Sequence, residues 1–248
     1  MSSSKIYSEY DALANAFDRT HKVNYDVWVE LMEKLLLQYL PKEAHILDLC
    51  CGTGPVAQRL LLMGYQVTGL DGSEEMLNLA RQKAPSVKFL QGDARFFKFT
   101  SRFNAVISLA SLMYILSIEE LTSVFQNMYD SLLENGFALF DLIIKSELEI
   151  DENEVLDTVE VKDDFVSLVT NSYNQENKLE QKHTILQLIN ANWQRFDVSF
   201  TLKTYSIAEV ISTLEKTGFI EVKVYNAEQD LGLNGGSSRA CFVCRKPN

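Results

Sequence analysis

Apolar and polar positions along the 248-residue chain follow three successive rhythms. The first is helical. Tyr7, Tyr10, Leu13 and Phe17 recur at helical spacing, and Val27, Trp28, Leu31, Met32 and Leu35 repeat it over 25–39, where Pro41 ends the run. The second rhythm alternates short apolar runs with amphipathic segments. Strand-like runs fall at 46–49, 65–70, 87–91, 103–110 and 137–143. Helical patterns fall after Pro55, after Ser73 and over 118–133, and Glu134-Asn135-Gly136 reads as a turn. Strands taking turns with helices predict an α/β domain whose mostly parallel sheet is covered on both faces, a doubly wound arrangement.

The third rhythm has a period of two. Stretches 165–171, 179–189 and 193–203 alternate polar and apolar residues, joined by polar loops such as 174–177. They predict an antiparallel β insert over 148–205. The α/β pattern then resumes with a helix over 206–217, Gly218 as its stop, and strands at 219–225 and 239–245. No internal repeat or low-complexity tract interrupts the chain.

The chemistry concentrates in residues 46–71, which read as strand, glycine turn, helix and second strand, with Asp48 and Asp71 closing the strands. Gly52 and Gly54 after a buried strand let a ligand lie against bare backbone. Pro55 suits the first turn of a helix, and Asp71 is placed to accept both hydroxyls of a ribose. The pattern is that of a nucleoside-cofactor site. Gly52-x-Gly54-x-x-Ala57 with an acid beyond it also satisfies a dinucleotide fingerprint, so the glycines alone do not choose the nucleoside. Asp48 does. A carboxylate aimed at the turn repels a pyrophosphate and attracts an ammonium or sulfonium group.

Asp48-x-Cys50-x-Gly52-x-Gly54 resembles the first motif of the class I S-adenosylmethionine-dependent methyltransferases, with Cys50 in the place of the first glycine. The resemblance implies a seven-stranded Rossmann-like sheet and S-adenosylmethionine as cofactor. It implies a cofactor set of Tyr10, Asp48, Cys50, Gly52, Gly54 and Asp71, continued by Gly72, Met76, Asp93, Ala94 and Leu109. In it, Met76 packs on adenine, Asp93 accepts from the exocyclic amine and Ala94 meets a ring nitrogen. Residues 1–40 become a helical lid with Tyr7 and Tyr10 as candidates to close it. Residues 41–147 and 206–248 become the cofactor domain, and 148–205 a substrate cover.

The element order is similar to small bacterial members that methylate small molecules, including amino sugars. At the exit of the fourth strand the chain reads Ser111-Leu112-Met113-Tyr114, without the Asn/Asp-Pro-Pro-Tyr/Phe of some nucleic-acid and protein methylators. Tyr114 and His183 are the catalytic candidates, with Tyr7 and Tyr10 behind them. His21 and His45 read as peripheral. An amine acceptor needs only a neutral lone pair, whereas a hydroxyl also needs a base, so N-methylation is favoured over O-methylation. A non-catalytic sensor or partner subunit that binds the same cofactor is the alternative. A nicotinamide-dependent oxidoreductase conflicts with Asp48.

Composition narrows the partners. A formal net charge of -11, from 23 basic and 34 acidic residues, disfavours nucleic acid, which draws affinity from basic patches. Nine acids between Glu147 and Asp164 face a single lysine, a pattern expected of a solvated edge. No run is long enough for a membrane span, and Met1-Ser2-Ser3-Ser4-Lys5 lacks the apolar core of a signal peptide, so a soluble cytoplasmic protein is expected. Cys241-x-x-Cys244 lies in a strand-like run, where positions three apart face opposite sides. With Cys50 and Cys51 it reads as buried thiols, and no metal is expected.

Overall fold

A computed structural model describes residues 3–20, 24–144, 156–173, 178–233 and 239–248. The acids of 147–154, the loop at 174–177 and His21 lie outside the described residues. The chain opens with helices α1 (Ser3–Thr20) and α2 (Tyr25–Leu35). Then follow β1 (His45–Leu49), α3 (Pro55–Leu62), β2 (Gln66–Asp71), α4 (Glu74–Lys83), β3 (Lys88–Gln91) and β4 (Phe103–Ser108). Helix α5 (Ile118–Ser131) leads into β5 (Leu132–Ile143), and β6 (Leu156–Lys162), β7 (Phe165–Tyr173), β8 (Leu179–Ile189) and β9 (Asn192–Leu202) form the insert. Helix α6 (Ile207–Thr217), β10 (Ile220–Asn226) and β11 (Arg239–Arg245) complete the order.

Local chemistry fixes the helix starts. Asn24, Ser73 and Ser117 each cap a helix by accepting a backbone N–H from its first turn. At α6, Ser206 and Glu209 form a reciprocal capping box, and Gly218 closes the helix.

The seven-stranded sheet has the order β10-β11-β5-β4-β1-β2-β3. Its pairs are parallel from β5 through β3, and β11 runs antiparallel to both β5 and β10. The chain winds away from β1 in both directions, so the carboxyl ends of β1 and β4 flank a topological switch point, where open α/β sheets hold ligands. Alternation along each strand feeds a separate core on each face. Leu47, Leu49, Val106 and Phe140 pack under α5 and α6, while Ile46, Ala105, Ile107 and Leu139 pack under α2, α3 and α4. Cys241 and Cys244 fall in opposite cores, as their spacing requires.

The insert is a separate four-stranded antiparallel sheet, β6-β7-β8-β9. Its inner face joins α1 in a third core of Leu13, Ala16, Phe165, Ile185, Val198 and Phe200. Two bonds tie it to the exit of β4: Lys203 donates its N–H to the Met113 carbonyl at 2.8 Å, and the Tyr205 hydroxyl donates to the Ile115 carbonyl at 2.6 Å.

Three boundaries differ from the sequence reading. Strand β6 occupies the second half of the acidic tract that reads as a solvated edge; Val159 and Val161 alternate there with Glu160, and charge on an outer strand guards against edge-to-edge pairing. The expected turn at 134–136 is absorbed into β5 as an irregularity. Pairing jumps from Phe103↔Leu132 to Ala105↔Phe137, and Asn135 takes up the bend at a φ of 61°. Helix α2 ends at Leu35, and a 3₁₀ turn over Leu37–Tyr39 carries the chain towards Pro41. Among the described residues no helix is long and apolar enough to cross a membrane.

Candidate active site

Between β1 and α3 the chain must reverse within a few residues, and it does so with left-handed backbone at Cys50, Gly52 and Gly54. The two glycines serve different ends. A Cβ on Gly54 would stand 2.9 Å from the Cβ of Ala80, so Gly54 packs α3 against α4 and lies outside the cavity lining. A Cβ on Gly52 would meet nothing within 4 Å, and this residue faces the cavity. Cys50 holds its φ of 59° with a side chain, a conformation costing about 1 kcal/mol.

Three carboxylates stand at the carboxyl ends of successive strands, in contrasting states. Asp48, only 3% exposed, accepts the Ala57 N–H, while its Oδ2 has no hydrogen-bond partner. Burial, with Asp71 adding to it, pushes the Asp48 carboxyl up to about 7 despite the Ala57 bond. Asp71 is satisfied by backbone: it accepts the Gly52 N–H at 2.8 Å and the Ser73 N–H at 2.9 Å. Burial raises its pKa, and these bonds oppose the rise. Asp93 is gripped by the Arg95 fork, with Nη2 at 2.7 Å and Nε at 3.0 Å, and also accepts the Arg95 N–H at 2.8 Å. Burial would raise its pKa, but the Arg95 bonds prevail and hold it below the ordinary carboxylate range.

A buried carboxylate oxygen without a partner is costly unless a cation meets it. Asp48 therefore marks a place for positive charge, beside bare backbone at Gly52 and within the same cavity as the better-satisfied Asp71. That donor set fits a cationic nucleoside and suits a pyrophosphate poorly.

Helix α1 lies across this cavity. Asp11 accepts from Ser73 Oγ at 2.5 Å, at the start of α4, and Asp18 accepts from Thr53 Oγ1 at 2.6 Å and pairs with Lys83. Farther along, Arg19 forks onto Asp164 at 2.7 and 3.0 Å, joining the helix to the β6–β7 turn. The ring of Tyr7 covers Gly72 so closely that a Cβ there would fall 1.8 Å from Tyr7 Cε1. With α1 docked the cavity has a volume of about 170 Å³.

The end of the cavity under the insert is aromatic. Tyr10 and Tyr114 meet edge to face with ring centroids 5.7 Å apart, and Phe200 stands 4.7 Å from Tyr10 and 5.6 Å from Tyr114. Burial raises both phenols above their ordinary value. His183 lies one layer behind, 5.6 Å from the Phe200 ring, with Nε2 2.8 Å from Gln181 Oε1.

Most of the expected site residues converge. Tyr10, Asp48, Cys50, Gly52, Asp71 and Gly72 line the cavity. Met76, Asp93, Ala94, Leu109 and Tyr114 line it as well, whereas Gly54 and His183 do not. Sequence reasoning missed Tyr25, Trp28, Thr53, Arg95 and Ala110. Arg95 follows the Asp93-Ala94 pair directly and could have been noticed. Tyr25 and Trp28 sit on an amphipathic helix, whose stripe gives no sign that part of it meets a cavity.

Residues 46–136 match the family model described as a methyltransferase domain. YqeM of Bacillus subtilis, which bears a methyltransferase name, is 30% identical over 96% of this chain and 97% of its own length. A stretch covering 41% of the chain and 43% of the relative is 31% identical to the dTDP-3-amino-3,4,6-trideoxy-alpha-D-glucopyranose N,N-dimethyltransferase of Streptomyces venezuelae. The fold is similar to that of CalS10, an amino pentose methyltransferase from Micromonospora echinaspora solved with S-adenosylmethionine bound. The TM-score is 0.75 at 21% identity, over 94% of this chain and 95% of that one.

Proposed function

The chain belongs to the class I S-adenosylmethionine-dependent methyltransferases, and on that premise we propose that its acceptor is an amine on a small molecule. S-adenosylmethionine supplies the methyl group on a positively charged sulfur. In this reading Asp48 faces the donor's cationic end, Asp71 takes the ribose hydroxyls, and Asp93, Ala94 and Met76 hold the base. Cys50, Gly52, Gly72 and Leu109 shape the floor between them. Helix α1 and the insert over 148–205 act as the cover that keeps water from the transfer.

The observation that carries the amine is the aromatic end of the cavity beside the exit of β4. Tyr10 and Tyr114 are both raised by burial and stay protonated at neutral pH, so they hydrogen-bond to an acceptor without taking its proton. A neutral amine needs no more than that, and the methylated product is a cation. The π faces of Tyr10, Tyr25, Trp28 and Tyr114 in the same cavity suit such a cation. Tyr114 is the residue assigned to touch the acceptor. His183 contributes through Phe200, as backing to the aromatic wall. The amino-sugar acceptors in the names of the Streptomyces and Micromonospora relatives agree with this chemistry.

The test is turnover of methyl-labelled S-adenosylmethionine against matched panels of primary and secondary amines, amino sugars among them, and of phenols, alcohols and carboxylic acids. Product on the amine panel is expected. Turnover confined to hydroxyl or carboxyl acceptors would overturn the amine assignment while leaving the methyltransferase reading intact.

A further inference from the structure

The carboxyl edge of the sheet carries one more acid, and the cofactor assignment makes no use of it. Asp141 lies near the end of β5 and is fully buried. Its Oδ1 accepts the Ala110 N–H at 2.6 Å, and its Oδ2 pairs with Nη1 of Arg239 at the start of β11. Burial raises the Asp141 carboxyl, and Arg239 and the Ala110 bond oppose the rise. Ala110 is itself under constraint, since it follows β4 with a φ of 53°, a left-handed conformation that a residue with a Cβ adopts only when held there.

Sheet order gives this cluster a direction. The strands run β11, β5, β4, β1, β2, β3, so Arg239, Asp141 and Ala110 form a line across three neighbours that ends at the cavity wall. Leu109, Ala110 and Ser111 line the cavity at its β4 side, whereas Gly92, Asp93 and Ala94 line it beyond β3, at the opposite side. A nucleoside held by Asp71 and Asp93 therefore directs the rest of the donor towards β1 and β4, and its reactive end towards the turn that Asp141 holds.

We propose that Asp141 is a positioning residue for methyl transfer: through the Ala110 N–H it fixes the strained turn after β4 against the sulfonium end of the donor. Arg239 pairs with the carboxyl group and orients it. The inference rests on the methyltransferase reading, because it needs the donor's sulfur rather than its base to lie over β4. It adds a residue outside the cavity lining to those that set the donor's geometry.

Calorimetry on the full chain separates positioning from plain support, using S-adenosylmethionine and adenosine as probes beside a thermal melt. Asp141→Asn keeps an oxygen for the Ala110 N–H and is expected to bind both probes within about twofold of wild type. Asp141→Ala removes that oxygen and is expected to weaken S-adenosylmethionine by about tenfold or more, the worth of a hydrogen bond to a charged group. Its adenosine affinity stays unchanged. Asp141→Ala can also leave Arg239 stranded and fail to fold, so the double variant Asp141→Leu with Arg239→Met carries the decisive comparison. Replacing both partners of a buried pair by apolar groups is often neutral for stability. A double variant that melts like wild type, binds adenosine normally and has lost S-adenosylmethionine affinity is the expected result. Normal S-adenosylmethionine affinity in that folded variant, or equal loss of both probes, would overturn the proposal. If wild type binds neither probe, the cofactor assignment fails instead.

Discussion

The Tyr7 phenol stands against the Asp93 carboxylate that the Arg95 fork already holds, and its ring covers Gly72. The phenol thus stands where an incoming amino group would approach Asp93, and the ring takes space beside it. With α1 docked the cavity of about 170 Å³ is smaller than the roughly 300–1,000 Å³ usual for ligand sites. A nucleoside read by Asp93 has to displace the Tyr7 phenol from that carboxylate. Tyr7→Phe keeps the ring and removes the competing hydroxyl. Stopped-flow binding should show faster association and S-adenosylmethionine affinity several-fold tighter, within the roughly tenfold that a hydrogen bond to a carboxylate is worth. Unchanged or weaker affinity would show that phenol and ligand do not compete at Asp93.

With the cofactor placed as proposed, Asp48 makes its binding a proton-linked event. Its folded pKa, pushed up to about 7, lies above the ordinary carboxylate value, so the ligand-free fold holds a proton that the unfolded chain has lost. Its contribution to stability is full below the unfolded pKa and is lost as pH rises through about 7. A cation placed on Oδ2 reverses the balance and expels the proton. Calorimetric titration of S-adenosylmethionine near pH 7, in two buffers of different ionisation enthalpy, should therefore report net proton release. Asp48→Asn should bind weakly, release none, and flatten this part of the stability–pH profile. Proton uptake by wild type would contradict the assignment of Asp48 to the cationic end.

The two glycines of the β1–α3 turn should separate stability from binding. Gly54→Ala drives a Cβ to 2.9 Å from Ala80 Cβ and 3.2 Å from its Cα, at a φ of 77°. Overpacking and backbone strain together should cost about 2–4 kcal/mol, read as a lowered melting temperature. Gly52→Ala meets no protein atom within 4 Å and carries only the strain of a φ of 52°, about 1 kcal/mol. Its methyl group projects where the cofactor would lie. Its melting temperature should stay near wild type, with S-adenosylmethionine affinity falling by tenfold or more, since a Cβ fills the place of close approach. Equal melting losses in the two variants would mean that Gly52 too is a packing residue.

Where sequence reading succeeded, the signal was local and forced by geometry. Asp48 and Gly52 lie in one strand–turn–helix unit and Asp71 closes the strand after it, so short-range spacing brings the three to one cavity, whereas Gly54 of the same turn packs α3 against α4. Ser73 and Ser206 announced their helices because a cap is a matter of four consecutive residues. What failed to show depends on distance in the chain. The Asp141–Arg239 pair spans 98 positions, and nothing in either neighbourhood predicts that β11 returns beside β5. Strand β6 was hidden because it lies in an acidic tract and its alternation is short, with Val159 and Val161 exposed on an outer strand and Glu160 between them covered. Trp28 was hidden for the opposite reason, since a residue in a core stripe looks the same whether its neighbour is a side chain or a cavity.

Tyr114 offers the sharpest discrimination between acceptor chemistries. Burial holds its phenol and that of Tyr10 above their ordinary value, so across pH 7–9 each remains neutral. A base that must take a proton from an alcohol would be worth roughly 10²–10⁴-fold in rate, and its loss would also remove the rising limb of the pH profile. A phenol that only aligns an amine is worth far less. Tyr114→Phe and Tyr10→Phe should each lower kcat by less than about tenfold, the worth of a single neutral hydrogen bond. The rate should still rise with pH through the acceptor's own pKa, because the proton that matters leaves the amine before transfer. A loss of a hundredfold or more in Tyr114→Phe, with a flattened pH profile, would identify the phenol as a base and turn the assignment from amine to hydroxyl.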